Sequence, residues 1–210
     1  MKVKKFIYAI GFILATCFIP EIYADGFLHT DGKQIVDGNG ENVILRGIGT
    51  GNWMIMEGYM MKTSGVANTH TQFRNKLIET IGEVNTDSFY SAWLHGHFRE
   101  IDVDSMKSWG FNSIRVNMHY YWFTPPIEEE PVPGEITWKQ TGFTILDSLL
   151  SWCTKHEMYM ILDLHGAPGG QGTEANISDY DPEKPSLWES SDNKAKTVAL
   201  WRKLAERYAD

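Results

Sequence analysis

Apolar residues change their spacing several times along the chain, and each change marks an element. Between Gly26 and Gly47 short apolar stretches are separated by Thr30-Asp31-Gly32 and Asp37-Gly38-Asn39-Gly40. These turn signals predict a β-hairpin leading into a first strand at Val43-Ile44-Leu45. From His70 to Trp109 apolar positions recur at helical intervals, first Phe73, Leu77, Ile78 and Ile81, then Phe98, Ile101, Val103 and Met106, with Gly110 as the stop. Phe111 to Met118 reads as a second strand. A Pro- and Glu-rich loop separates it from a helix over Gly142 to His156, which carries Phe143, Leu146, Leu149, Leu150 and Cys153. A third strand follows from Met158 to Leu164. Beyond a Gly/Pro/Asp loop, Asn193 to Asp210 forms a last amphipathic helix through Val198, Trp201, Leu204, Ala205 and Tyr208.

This alternation predicts an α/β fold, because parallel strands need crossovers and the helices supply them. Three βα units preceded by a short hairpin fit part of a (β/α)8 TIM barrel, which takes about 250 residues when whole. A doubly wound sheet is the other arrangement, and no phosphate fingerprint supports it. Each strand runs into a long polar or aromatic loop, as on the active face of a barrel, so the expectation is a partial barrel.

The first residues do not belong to this domain. Lys2, Lys4 and Lys5 precede an apolar run from Phe6 to Ile19, then come Pro20, Glu21 and the small Ala24. That pattern predicts a signal peptide over 1–24 and a secreted or periplasmic protein over 25–210. The apolar run is shorter than the roughly 20 residues of a bilayer span, so no stable membrane span is expected after its removal. Leu14-Ala15-Thr16-Cys17 offers the alternative of a lipid anchor at Cys17. After cleavage Cys153 has no partner for an internal disulfide and reads as a buried thiol. The net charge of −8 argues against nucleic acid as a partner and suits a neutral substrate.

Chemistry concentrates at the strand ends. Side chains alternate across a strand, so Ser113, Arg115, Asn117 and His119 share one face, opposite Ile114, Val116 and Met118. On the next strand Tyr159, Ile161, Asp163 and His165 share a face, opposite Met160, Leu162 and Leu164. With the apolar faces turned to the helices, Arg115, Asn117, Asp163 and His165 point into the barrel near its top, where a charge must be paired or functional. The plainer alternative is that Arg115 and Asp163 only satisfy each other.

Three ordered blocks, Gly51-Asn52-Trp53-Met54-Ile55-Met56-Glu57, Gly110-Phe111-Asn112-Ser113-Ile114-Arg115-Val116 and Leu162-Asp163-Leu164-His165-Gly166-Ala167-Pro168-Gly169-Gly170-Gln171, together with Leu45-Arg46-Gly47, resemble the cellulases and exo-β-1,3-glucanases of glycoside hydrolase family 5. The resemblance implies a retaining glycosidase without metal or cofactor, acting on a β-linked oligo- or polysaccharide. It makes Arg115 the arginine that contacts the nucleophilic carboxylate, His165 a histidine of the subsite where the bond breaks, and Glu57 a sugar-binding glutamate. Gly58 and Asn117 stand where prolines are common in the family, which marks a divergent branch.

In such enzymes one glutamate protonates the leaving oxygen and another, about 5 Å away, attacks the anomeric carbon. The acid/base belongs to an Asn-Glu-Pro type motif after the fourth strand and the nucleophile ends the seventh. Asn-Glu-Pro does not occur in this sequence. Neither catalytic residue is therefore expected in this chain, where Arg115 and His165 are support residues. Trp53, Tyr120 and Trp122 are candidates to stack on sugar rings, with Tyr59 and Phe123 beside them. His95-Gly96-His97 has no Cys or acidic partner nearby and reads as surface, not as a metal site. Glu128-Glu129-Glu130 reads as a solvated acidic loop. A carbohydrate-binding protein without turnover, built on Trp53, Trp122 and His165, is the alternative to an enzyme. Assayed by reducing-sugar release on β-1,4- and β-1,3-glucans, the 210-residue chain should show no turnover.

Overall fold

The computed structural model describes residues 27–209, so the expected signal peptide and Cys17 lie outside the described residues. A hairpin comes first: β1 (His29–Asp31) pairs antiparallel with β2 (Gln34–Val36) through a two-residue turn that Gly32 opens at φ +57°. The central sheet is parallel, in the order β3 (Gly47–Gly49), β4 (Ser113–His119), β5 (Tyr159–Gly166). Two short helices, α1 (Gly58–Met61) and α6 (Ala175–Ser178), sit in the loops after β3 and β5. The longer helices are α2 (His70–Ile81), α3 (Glu83–Gly96), α4 (Glu100–Ser108), α5 (Gln140–Lys155) and α7 (Ser191–Tyr208).

Two expectations about elements change. Val43-Ile44-Leu45 is not the first strand of the parallel sheet. Val43 donates its N–H to Ile35 O and stays with the hairpin, while Asn112 bonds both Arg46 N and Ile44 O and feeds the chain into β3 two residues later. The strand then begins at a glycine for a steric reason: a Cβ on Gly47 would lie 2.7 Å from Ser113 Oγ. The single helical stretch expected over His70–Trp109 is three helices. Gly82, at φ +80°, ends α2 and starts α3, a conformation that costs glycine little. The third starts at Arg99, whose backbone N–H donates to Asp102 Oδ2.

The core lies on one face of the sheet. Ile114, Val116 and Met118 are fully buried there against Phe143, Leu146, Leu149 and Cys153 of α5, with Val103, Leu94 and Leu200 from the other helices. Burying each such leucine contributes about 1.5–3 kcal/mol. The Cys153 thiol is pushed up to about 12 by burial and stays protonated and inert. β3 and β5 are the edge strands of this sheet among the described residues, and Tyr159 to His165 of β5 are half-buried on both faces.

Glu130 departs from the solvated acidic loop expected of it. Its side chain is 4% exposed and pairs with Lys196 of α7, whose side chain is 3% exposed and whose ammonium also donates to Pro125 O at 2.6 Å. Thr137 N–H donates to the same carboxylate at 3.0 Å. Burial alone would raise the Glu130 pKa, but the bonds from Lys196 and Thr137 outweigh it and hold the carboxyl low. The acidic loop is thereby fastened to the last helix. Lys196→Met should cost about 3–5 kcal/mol by stranding a buried carboxylate, and Lys196→Met/Glu130→Leu should cost less than the single change, read from urea midpoints.

Candidate active site

The parallel register decides which side chains share the open face of the sheet. Ser113 lies opposite Tyr159, Arg115 opposite Ile161 and Asn117 opposite Asp163, and paired residues of parallel strands point the same way. The helices cover Ile114, Val116 and Met118, so Arg115, Asn117 and Asp163 emerge on the other side. β3 keeps room for them: Gly49 has no side chain, and an added Cβ there would meet Asn117 Oδ1 at 3.5 Å.

At the C-terminal ends of the three strands four charged or polar groups converge. Arg115 Nη2 is 2.6 Å from Asp163 Oδ2, and His165 Nδ1 is 2.9 Å from the same oxygen. Arg115 Nη2 also lies 3.4 Å from His165 Nδ1. The two nitrogens share that carboxylate oxygen: Nδ1 carries a proton and donates to Asp163, and Arg115 donates to the same oxygen. His165 Nε2 is thereby directed at Glu57 Oε1, 3.8 Å away. That is too long for a hydrogen bond and leaves both groups with bonding capacity.

Burial raises the pKa of Glu57, whose side chain is 3% exposed, although His165 and Arg115 pull the other way. The bond to Asp163 raises that of His165, against the opposing effect of burial. The half-exposed Arg115 side chain keeps further guanidinium donors free for another carboxylate. The plainer reading, a mutual Arg115–Asp163 pair, describes one of these contacts, yet the same Asp163 oxygen also orients His165. The chain Arg115–Asp163–His165–Glu57 can hold sugar hydroxyls or a second carboxylate.

His119 leaves the polar stripe to which alternation assigned it. The ladder shifts between Met118 and His119, so His119 pairs with Gly166 instead of His165. Its buried ring bonds Asp179 Oδ2 at 3.0 Å, accepts Tyr121 N–H and stacks on His70 at 4.2 Å. Burial and the neighbouring His119 lower the His70 pKa well below the ordinary value. Thr71 donates both its N–H and its hydroxyl to Asp179. Burial would raise the Asp179 pKa, but His119, with smaller effects from His70 and Thr69, outweighs it and holds the carboxyl low, with its backbone at φ +56°. This network joins the loops after all three strands. No motif announced it, because Asp179 is 60 residues from His119 and 108 from Thr71.

The aromatic candidates divide. Trp53 is 1% exposed, donates its indole N–H to Leu94 O at 2.8 Å and packs on Phe98. Trp122, 6% exposed, donates to Met54 O, and Phe123 is fully buried. These three rings are buried in the core, which leaves Trp53 and Trp122 little exposed face for a sugar. Tyr120 is half-buried at the rim, and Tyr59, next to Glu57, is exposed. His97 stacks on Trp93, and His95 bonds Ser91 O. Among the described residues no group of three His, Cys, Asp or Glu is placed to hold a metal, and no helix is long and apolar enough to cross a membrane.

A polar cluster at the C-terminal ends of parallel strands is where enzymes built on βα units place their active sites. Comparison with known proteins gives the family. The model for cellulase (glycosyl hydrolase family 5) matches residues 77–210. A beta-xylosidase of Phanerodontia chrysosporium is 36% identical over 88% of this chain and 37% of its own length. A probable glucan 1,3-beta-glucosidase A and a probable glucan endo-1,6-beta-glucosidase B of Aspergillus fumigatus are each 27% identical, over 80% and 75% of this chain and 38% and 39% of their own lengths. The chain belongs to glycosyl hydrolase family 5, and it spans less than two fifths of these relatives. The crystal structures of AoRut and of rutinosidase from Aspergillus niger share the fold, with TM-scores of 0.58 and 0.57 at 17% and 16% identity, over 77% and 76% of this chain and 44% and 43% of theirs.

The raised His165 pKa has a definite sign for stability. The Asp163 contact favours the protonated ring, so its contribution is complete below the ordinary value of 6.5 and disappears as pH rises through the folded pKa. By NMR titration His165 should ionise above 6.5 in the wild type and at a lower pH in Asp163→Asn.

Proposed function

We propose that this chain carries the sugar-binding and support half of a retaining β-glycosidase, arranged as the first three βα units of a (β/α)8 barrel. The single observation that carries the reading is the charge chain from Arg115 through Asp163 and His165 to Glu57 at the ends of successive parallel strands. In this role Arg115 contacts the nucleophilic glutamate through its free donors and keeps it ionised, since a cation within a few Å favours the attacking form. His165, oriented by Asp163, presents Nε2 to a sugar hydroxyl beside Glu57. Glu57 binds a second hydroxyl, and burial strengthens such bonds. Tyr59 and Tyr120 are the aromatic groups left for the sugar faces.

In this reading the acid/base and the nucleophile belong to the part of the relatives' length that this chain does not span, and hydrolysis is a property of a longer protein. Its substrate is a β-linked glycan. The relatives' names support this class, since they cover β-xylosidic, β-1,3 and β-1,6 linkages, and the choice among glucans is set by loops of the longer protein. Export through cleavage after Ala24, to a secreted or periplasmic location, completes the reading. The alternative of a binding protein without turnover loses two of its platforms, because Trp53 and Trp122 are in the core.

In the longer protein, Arg115→Ala should lower kcat/KM for β-glucan oligosaccharides more than tenfold, on the order of 1.4 kcal/mol or more of transition-state stabilisation, with the melting transition retained. Unchanged turnover would remove Arg115 from the site. Glu57→Gln should raise KM more than it lowers kcat, as expected for a binding group.

A further inference from the structure

Away from this site the described residues form an open cavity, of about 490 Å³, between α2, α3 and the start of α5. Glu57, Arg115 and His165 do not line it, so a ligand held there is independent of the glycosidase reading. Two cations meet over one ring in its wall: Lys139 Nζ is 3.5 Å from the centre of the Tyr121 ring, and the Arg74 guanidinium carbon is 5.2 Å from it. The acidic groups near them are weak partners. Asp87 reaches Arg74 only at 3.4 Å and Glu83 at 4.0 Å, both from largely exposed positions. Burial is the main cause that pushes the Lys139 ammonium down to about 8; Arg74 and Lys196 add to it, against Glu129 and Asp87.

Lys139 is also the N-cap of α5, and no side chain caps the first turn of this sixteen-residue helix. Its leading N–H groups bring partial positive charge to the same wall. An independent observation comes from the cavity wall. Tyr90, which lines it, is 4% exposed, and its buried hydroxyl has no hydrogen-bond partner among the described residues. Burial holds that phenol in its protonated form, so a donor is in place with no acceptor. An uncompensated buried hydroxyl is a cost to the fold that an arriving acceptor recovers.

We infer that this cavity binds an oxyanion, gripped by Lys139 and Arg74, by the Tyr90 hydroxyl and by the open first turn of α5. A carboxylate on an acidic sugar and free inorganic phosphate share the chemistry the cavity recognises. Its volume admits either.

Isothermal titration of the full chain at low ionic strength with inorganic phosphate, glucuronate and glucose distinguishes them. Saturable binding of glucuronate alone identifies an acidic sugar, of phosphate alone a free oxyanion, and of both a general oxyanion pocket; each supports the inference, with glucose giving no heat. Lys139→Gln and Tyr90→Phe should each weaken binding about tenfold, the effect of one charged or buried hydrogen bond, while Lys139→Arg should stay close to wild type. Tyr90→Phe keeps the ring and its packing, so its fold is secure, and the wild-type titration decides even if the Lys139 variants misfold. The inference is overturned if neither anion binds saturably, if glucose binds as well as the anions, or if both weakening variants leave the affinity unchanged.

Discussion

The Asp163 carboxylate sits 2.6 Å from Arg115 and 2.9 Å from His165, and the rest of the site is arranged around that one anion. It fixes the imidazole tautomer, turns Nε2 toward Glu57 and keeps the guanidinium from folding back on the sheet. The same contact favours the protonated His165 ring, while the Glu57 carboxyl is raised mainly by burial. Such a group is worth more on a strand than on a loop, since the ladder between β4 and β5 holds Arg115 and Asp163 at fixed separation.

A second set of contacts keeps the surrounding loops in place. Asp179 binds the end of β4 through His119 and the start of α2 through Thr71, while Lys196 binds the loop after β4 through Glu130 and Pro125 O. Both are buried polar contacts between segments distant in sequence, and both link loops that would otherwise move independently. Removing one partner leaves a charge with no water to replace it, which is why these ties are stiff.

Much of this was legible along the chain. The two-residue alternation on Ser113–Met118 and Tyr159–Leu164 put Arg115 and Asp163 on one face, and the ladder keeps them there. The helices over α5 and α7 lie within two residues of their expected ends, since their apolar spacing is local and Ser190 is a ready N-cap. The blocks around Glu57, Arg115 and His165 carried the family. The aromatic candidates did not sort themselves: a tryptophan has the same composition in a core as in a binding cleft, and only the α3 carbonyl at Leu94 accounts for the placement of Trp53.

Near neighbours along the chain therefore settle the period of each element, the turns, and which side of a strand a residue takes while the strand stays regular. Contacts made only in the folded molecule set the ladder shift at His119, the start of the sheet at Gly47, the burial of Trp53 and Trp122, and the partnerships of Asp179 and Lys196. Those outcomes join segments 41 or more residues apart, and they depend on how closely two surfaces approach, a quantity no local pattern contains.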